Sequence, residues 1–196
     1  GKFYLKAGQR VNFTSNQIGK YKVVELTGGY EKTWSGRKES IATGNISDNK
    51  NAYEILANEY NTRNYEIGYD FWNNIYDDLN LKNKNNVEVL EIGPGNGRNV
   101  KIFKQYNSNF KITVLEISEN MCNIIKKNNP DIKIINSDIL EYNFTNKQFD
   151  IIQMVAVIHL FPIEDAKVVL NNIRVALKEN GYLIIGTTIN ENDVEG

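Results

Sequence analysis

The sequence predicts an α/β protein built on a doubly wound, mostly parallel sheet. Three observations carry that expectation. Short apolar runs alternate with helical spacings, the run at 149–157 is nearly all apolar, and glycine follows the first run at once. Runs such as 87–92 and 149–157 lack the in–out alternation of a half-exposed strand, as strands covered on both faces must. Helices between parallel strands make right-handed crossovers, so ligands are expected at the carboxyl ends of the strands.

Residues 1–48 differ in texture. They are rich in glycine, threonine and β-formers and predict a small β-rich segment with no assignable role. Residues 21–26 alternate as a strand, with Thr27-Gly28-Gly29 as its turn, and 3–5 and 10–13 are candidate strands. Asp48-Asn49-Lys50-Asn51 reads as the linker into a core spanning 49–196. Tyr53, Leu56, Ala57 and Tyr60 recur at helical spacing over 52–61, and a second helix is expected over 67–79. Then come a strand at 87–92, a helix at 99–106, a strand at 111–116 and a helix at 119–128 closed by Asn129-Pro130. Strands at 132–136 and 149–157, an amphipathic helix at 165–177 and a strand at 182–187 complete the pattern.

Composition narrows the function classes. A chain of 196 residues, 41% hydrophobic and 24% charged, suits one soluble α/β domain with room for a small appendage. A net charge of −1 offers no general attraction for a polyanion, so nucleic acid is not the expected partner. One cysteine, Cys122, and one histidine, His159, leave no internal disulfide and no soft-ligand metal site, so no metal is expected. No apolar run approaches the roughly 20 residues that cross a bilayer, and the first residues lack a signal-peptide core. A cytoplasmic protein is the expectation, with Gly1 read as a trimmed start. The clusters of asparagine and lysine read as solvated loops.

The strand ends carry the chemistry. The first ends in Glu91-Ile92-Gly93-Pro94-Gly95-Asn96-Gly97-Arg98-Asn99. Glycines there allow a sharp turn and close approach of a ligand to the main chain, although a strand-to-helix turn needs no ligand to use them. A dinucleotide fingerprint requires glycine where Arg98 stands. Glu91 would repel a pyrophosphate and suits a ligand bearing an amine or sulfonium. That favours a nucleoside carrying an amino acid over a dinucleotide. The second strand ends at Leu115-Glu116-Ile117, where a carboxylate can accept both ribose hydroxyls or simply start a loop. The third ends in Ser137-Asp138-Ile139, where Asp138 can accept from an adenine amino group beside apolar Ile139, or cap a helix.

As a set, 89–99, Leu115-Glu116, Ser137-Asp138, Phe149-Asp150-Ile151-Ile152 and Leu177-Lys178-Glu179-Asn180-Gly181-Tyr182-Leu183 resemble the successive motifs of the class I S-adenosylmethionine (SAM)-dependent methyltransferases, nearest their small-molecule branch. The likeness covers roughly residues 50–190. It implies a Rossmann-like core in which Gly93, Pro94, Gly95 and Gly97 make room for the methionine moiety of SAM, with Glu91 near its amino group. Glu116 and Ile117 would meet the ribose, Asp138 and Ile139 the adenine, and Gln153 to Ala156, Val155 among them, would face the sulfonium. Tyr53, Tyr60, Arg63 and Tyr65 are candidates for a lid, although their spacing is also that of packing. His159, at the rim after the fourth strand, is a candidate general base or a residue that orders the loop before Pro162. Gln153-Met154-Val155-Ala156 lacks the prolines and aromatic of amino-methylating enzymes that act on nucleic-acid bases. Cys122 lies away from where a cysteine nucleophile would stand, and reads as core filler.

The family sheet usually has two more strands after the fifth, and this chain stops at Gly196. Truncation is the favoured explanation, with the N-terminal segment filling the edge as the other. An open edge invites a cover, such as a homodimer partner or a larger parent protein. The leading function is therefore methyl transfer from SAM to an oxygen or nitrogen of a small-molecule acceptor. A SAM-binding regulatory or assembly module without turnover is the alternative, and an NAD-dependent oxidoreductase is disfavoured by Arg98 and Glu91.

Overall fold

The computed structural model describes residues 11–15, 19–23, 50, 51, 53, 54, 57, 69–144 and 148–187. Two N-terminal strands, β1 (Val11–Ser15) and β2 (Gly19–Val23), form an antiparallel hairpin. Helical residues at 50–51, 53–54 and 57 precede α1 (Tyr69–Asp78). There follow β3 (Glu88–Ile92), α2 (Arg98–Tyr106), β4 (Lys111–Glu116), α3 (Glu119–Asn128), β5 (Lys133–Asn136), β6 (Phe149–Val155), α4 (Ile163–Ala176) and β7 (Leu177–Gly186). The expected strand at 3–5, the last three residues of the strand expected at 21–26, the turn at 27–29, and lid candidates Tyr60, Arg63 and Tyr65 lie outside the described residues.

The sheet runs β1-β2-β7-β6-β3-β4-β5, and β3 to β7 are mutually parallel. Winding starts at β3, proceeds to β5 on one side, then returns to β6 and β7 on the other. The switch point thus falls between β3 and β6, where a doubly wound sheet opens a crevice at its carboxyl end. The predicted α/β architecture is what the chain forms. At the edge beside β7, β2 pairs in parallel with it, matching Tyr21 to Leu183 and Val23 to Ile185. The hairpin covers that edge, as the other of the two explanations expects. The expectation of a homodimer rested on an open edge there, and this pairing removes its ground.

Side chains of the parallel strands divide between two cores. Val89, Val114 and Ile151 join Trp72, Tyr76, Ile102 and Phe103 of α1 and α2 on one face. Leu90, Leu115 and Ile152 join Val169 and Ile173 of α4 on the other. Successive residues alternate between faces because strand side chains do. Tyr76 stacks on Phe103 with ring centroids 4.9 Å apart, which fixes α1 against α2. Asp150, in the Phe149-Asp150 motif, does not reach the strand ends. Its Oδ2 accepts from the Glu88 amide at 2.8 Å and from Lys178 Nζ at 2.8 Å. It therefore ties β6 to the starts of β3 and β7, a stabilising role at the far end of the sheet.

Candidate functional site

The carboxyl ends of β3, β4, β5 and β6 surround an open cleft. Its glycine turn follows from backbone geometry. Gly93 and Gly95 have φ of +62° and +56°, a region in which a β-carbon is strained. The Gly93 amide donates to Leu115 O at 2.9 Å and the Gly97 amide to Pro94 O at 3.0 Å, so the turn is stitched to β4 and to itself. Gly93, Pro94 and Gly95 line the cleft. Gly97 is buried at the start of α2 with φ +82°, and a β-carbon there would stand 2.9 Å from Asn129 Nδ2. Its role is to let α2 pack against the end of α3.

Glu116 reaches the cleft from the end of β4 while only 6% exposed. Its Oε1 accepts from the Ser118 amide at 3.0 Å. Its main-chain carbonyl accepts from the Ser137 amide, from Asn136 Nδ2 and from Cys122 Sγ. The carboxyl is thus pre-oriented. Burial raises its pKa to about 7, with amides of Ser118, Ile117 and Gly95 pulling it down and the charge of Glu54 pushing it up. Cys122 is buried, its thiol pushed up to about 12 chiefly by burial and then by Glu116, which suits packing and not nucleophilic attack.

Asp138 and Ile139, after β5, line the same cleft, as do Ile117 and Val155. Asp138 Oδ1 accepts from the Leu140 amide at 2.9 Å, so it caps the following turn as well as bordering the cleft. Three predicted positions lie elsewhere. Glu91 is 0% exposed and Gln153 is fully buried; neither they nor Gly97 line the cleft. Asn99 Nδ2 donates to Glu91 Oε1 at 2.7 Å, and Tyr76 Oη donates to Gln153 Oε1 at 3.1 Å. These form a buried polar layer beneath the glycine turn.

Glu91 is expected to make stability depend on pH. Burial raises its pKa from 4.5 to about 8, against the opposing contacts of Asn99, Gln153 and Arg98. An acid with a raised folded pKa gives its full contribution below the unfolded value. That contribution is lost as pH rises, because only the unfolded chain ionises freely. Glu91→Gln, which mimics the protonated carboxyl, should therefore gain stability over the wild type between about pH 4.5 and 8. At 1.36 kcal/mol per unit the gain at neutral pH is roughly 3 kcal/mol. Urea unfolding at several pH values would measure it, and parallel profiles for the two proteins would refute the assignment.

His159 sits in a 3₁₀ turn, Ile158–Leu160, with Nδ1 3.2 Å from Thr187 Oγ1. The imidazole is exposed at the rim and does not line the cleft, whereas Leu160 and Phe161 do. Partial enclosure lowers its pKa from the usual histidine value.

Two cleft features escaped the sequence reading. Asn99 lines the cleft from the first turn of α2. Glu54 accepts from the amides of Glu119 at 2.7 Å and Asn120 at 3.0 Å, and its main-chain carbonyl accepts from Asn120 Nδ2. Slight burial works against its charge, yet those two amides hold its carboxyl below the usual range. Glu54 thereby anchors the helical residues carrying Tyr53, which lines the cleft, to the N-terminus of α3. A carboxylate is favoured at that end of a helix.

Known proteins share this framework. Residues 89–181 match a family described as "Methyltransferase domain". Ribosomal RNA small subunit methyltransferase A of Malacoplasma penetrans is 30% identical over 115 residues, 59% of this chain. The chain spans only 39% of that relative's length. Among solved structures, a complex named DhpI-SAM-HEP superposes with TM-score 0.59 at 18% identity, covering 78% of this chain and 71% of the other. The N-methyltransferase NodS from Bradyrhizobium japonicum WM9, in complex with S-adenosylhomocysteine, gives 0.54 at 15% identity, covering 68% and 71%.

Proposed function

We propose that this chain carries a class I SAM-dependent methyltransferase domain, a reading supported by the match of residues 89–181, and that it transfers a methyl group from SAM to an oxygen or nitrogen of a small-molecule acceptor. The cleft fits the cofactor on its own chemistry. Glu116 is a carboxyl able to accept from a ribose diol, Ile117 and Ile139 are apolar neighbours for a purine, and Asp138 is an acceptor for its amino group. The turn of Gly93, Pro94 and Gly95 brings bare main chain to the amino-acid end, with Val155 closing the floor. Bound SAM supplies an electrophilic methyl group on a sulfonium. The chain's own part is to orient and to exclude water, since alignment can supply most of the rate of such a displacement.

One observation carries the choice of acceptor. Among the described residues that line the cleft Arg98 is the one cation, and it shares the cleft with carboxyls of Glu116 and Asp138. A nucleic-acid acceptor is held mainly through its phosphates by several lysines and arginines, which the described lining does not offer. Leu160 and Phe161 at the rim instead suit a compact, partly apolar acceptor. Glu91, Gly97 and Gln153 support the site from below, and His159 orders the loop before Pro162. We place this chemistry in residues 49–196, with 1–48 as an accessory segment, in a cytoplasmic setting. No helix among the described residues is long and apolar enough to cross a membrane.

The test is to supply SAM with either a low-molecular-weight metabolite fraction or total RNA, and to measure S-adenosylhomocysteine. Product is expected with the metabolites alone. Methylated RNA would replace the small-molecule reading with a nucleic-acid one. Binding of SAM without product from either pool would favour a silent binding module. Calorimetry with NAD should give no heat of binding.

A further inference from the structure

The buried polar layer under the glycine turn reaches the cleft at one residue. Asn99 is 6% exposed, yet it lines the cleft. Its Nδ2 is committed to Glu91 Oε1 at 2.7 Å, while its Oδ1 is buried with no hydrogen-bond partner. A buried acceptor without a donor costs on the order of 1–3 kcal/mol, and such a group in a native site calls for an explanation. Glu91 does not line the cleft and is fully enclosed by its neighbours. Tyr76 holds Gln153 Oε1, which turns the Gln153 amide toward the Glu91 carboxyl.

Resting on the SAM-binding reading above, we propose that Asn99 Oδ1 receives the ammonium group of the cofactor's amino-acid end, and that Glu91 is a positioning residue that fixes the Asn99 amide from behind. A neutral amide oxygen can accept from an ammonium without a second full charge having to be desolvated beside it. The Glu91 carboxyl, kept largely protonated by burial, orients the amide and is not a charge presented to the ligand. The same zwitterion has a carboxylate half, and the amide-bearing N-terminus of α2, where Asn99 stands, favours negative charge. Ammonium on the side chain and carboxylate toward the helix end together select an α-amino acid over a phosphate.

Three ligands separate the contributions: S-adenosylhomocysteine, its deaminated analogue, and methylthioadenosine, which keeps adenosine and thioether but lacks the amino acid. Calorimetry on the wild-type chain should show the deaminated analogue binding about tenfold or more weakly than S-adenosylhomocysteine. Asn99→Leu should erase that preference while leaving methylthioadenosine within about twofold of wild type. Glu91→Leu, which removes the acceptor that holds the Asn99 amide, should reduce the preference without abolishing it, and Glu91→Gln, which keeps a neutral acceptor, should leave it near wild type, with methylthioadenosine unchanged in both. A wild-type protein indifferent to the amine would overturn the proposal without relying on any variant. So would Asn99→Leu that keeps the preference, or that loses methylthioadenosine equally, which would mean a purely structural amide. Failure of the wild type to bind any of the three would instead sink the cofactor reading itself.

Discussion

Glu116→Ala is expected to weaken S-adenosylhomocysteine binding by at least about tenfold, with little change in thermal stability. The carboxyl stands at the end of β4 with one oxygen already occupied by the Ser118 amide, so its orientation is set before a ligand arrives. Hydrogen bonds to a charged acceptor contribute about 1.5–3 kcal/mol each, and a ribose offers two donors. Removing the acceptor therefore leaves up to two hydroxyls without their protein partner in the cleft. Because burial holds the carboxyl near a pKa of about 7, wild-type affinity should also fall as pH drops below neutrality, while the alanine variant loses that dependence. Calorimetry across pH would show both effects. An unchanged dissociation constant in Glu116→Ala would refute the ribose assignment.

That prediction stands on a residue whose position could be read in advance, and the reason is local. The apolar run of β4 stops at Glu116 and a helix pattern begins at Glu119, so strand end, turn and helix start all fall within a few residues. The observed bounds of β4 and α3 match the expected ones for that reason. Glu91 shows where such reading stops. Its place at the end of an apolar strand was legible, but its burial is decided by Tyr76, Asn99 and Gln153 from three other elements. Glu54 gave no signal at all, since the amides it caps lie 65 and 66 residues away. The pairing of β2 with β7 is likewise a contact between the two ends of the chain. Strand periodicity predicts that a strand exists and is silent on which edge it joins. Asp150, a motif residue that the sequence left without a role, holds the amino ends of strands together.

Gly93→Ala is expected to destabilise the fold and to weaken S-adenosylhomocysteine binding together, for two separable reasons. Alanine at φ +62° carries a left-handed backbone penalty of about 1–2 kcal/mol. Its β-carbon would also stand 2.5 Å from Val157 Cγ2, which no pair of carbons tolerates. Valine is stiff about χ1, so relief requires the segment after β6 to move. That segment includes Leu160 and Phe161 at the rim, so the displacement is transmitted into the cleft. Overpacking of this kind typically costs a further 1–3 kcal/mol or so, for a combined loss of roughly 2–5 kcal/mol. Val157→Ala removes the clashing methyl and leaves the backbone penalty. The double variant should therefore recover the steric part of the loss and keep the rest, a coupling that a double-mutant cycle in urea reads directly. Equal losses in Gly93→Ala with and without Val157→Ala would show that the contact does not exist, and full stability in Gly93→Ala would show that the turn does not need glycine.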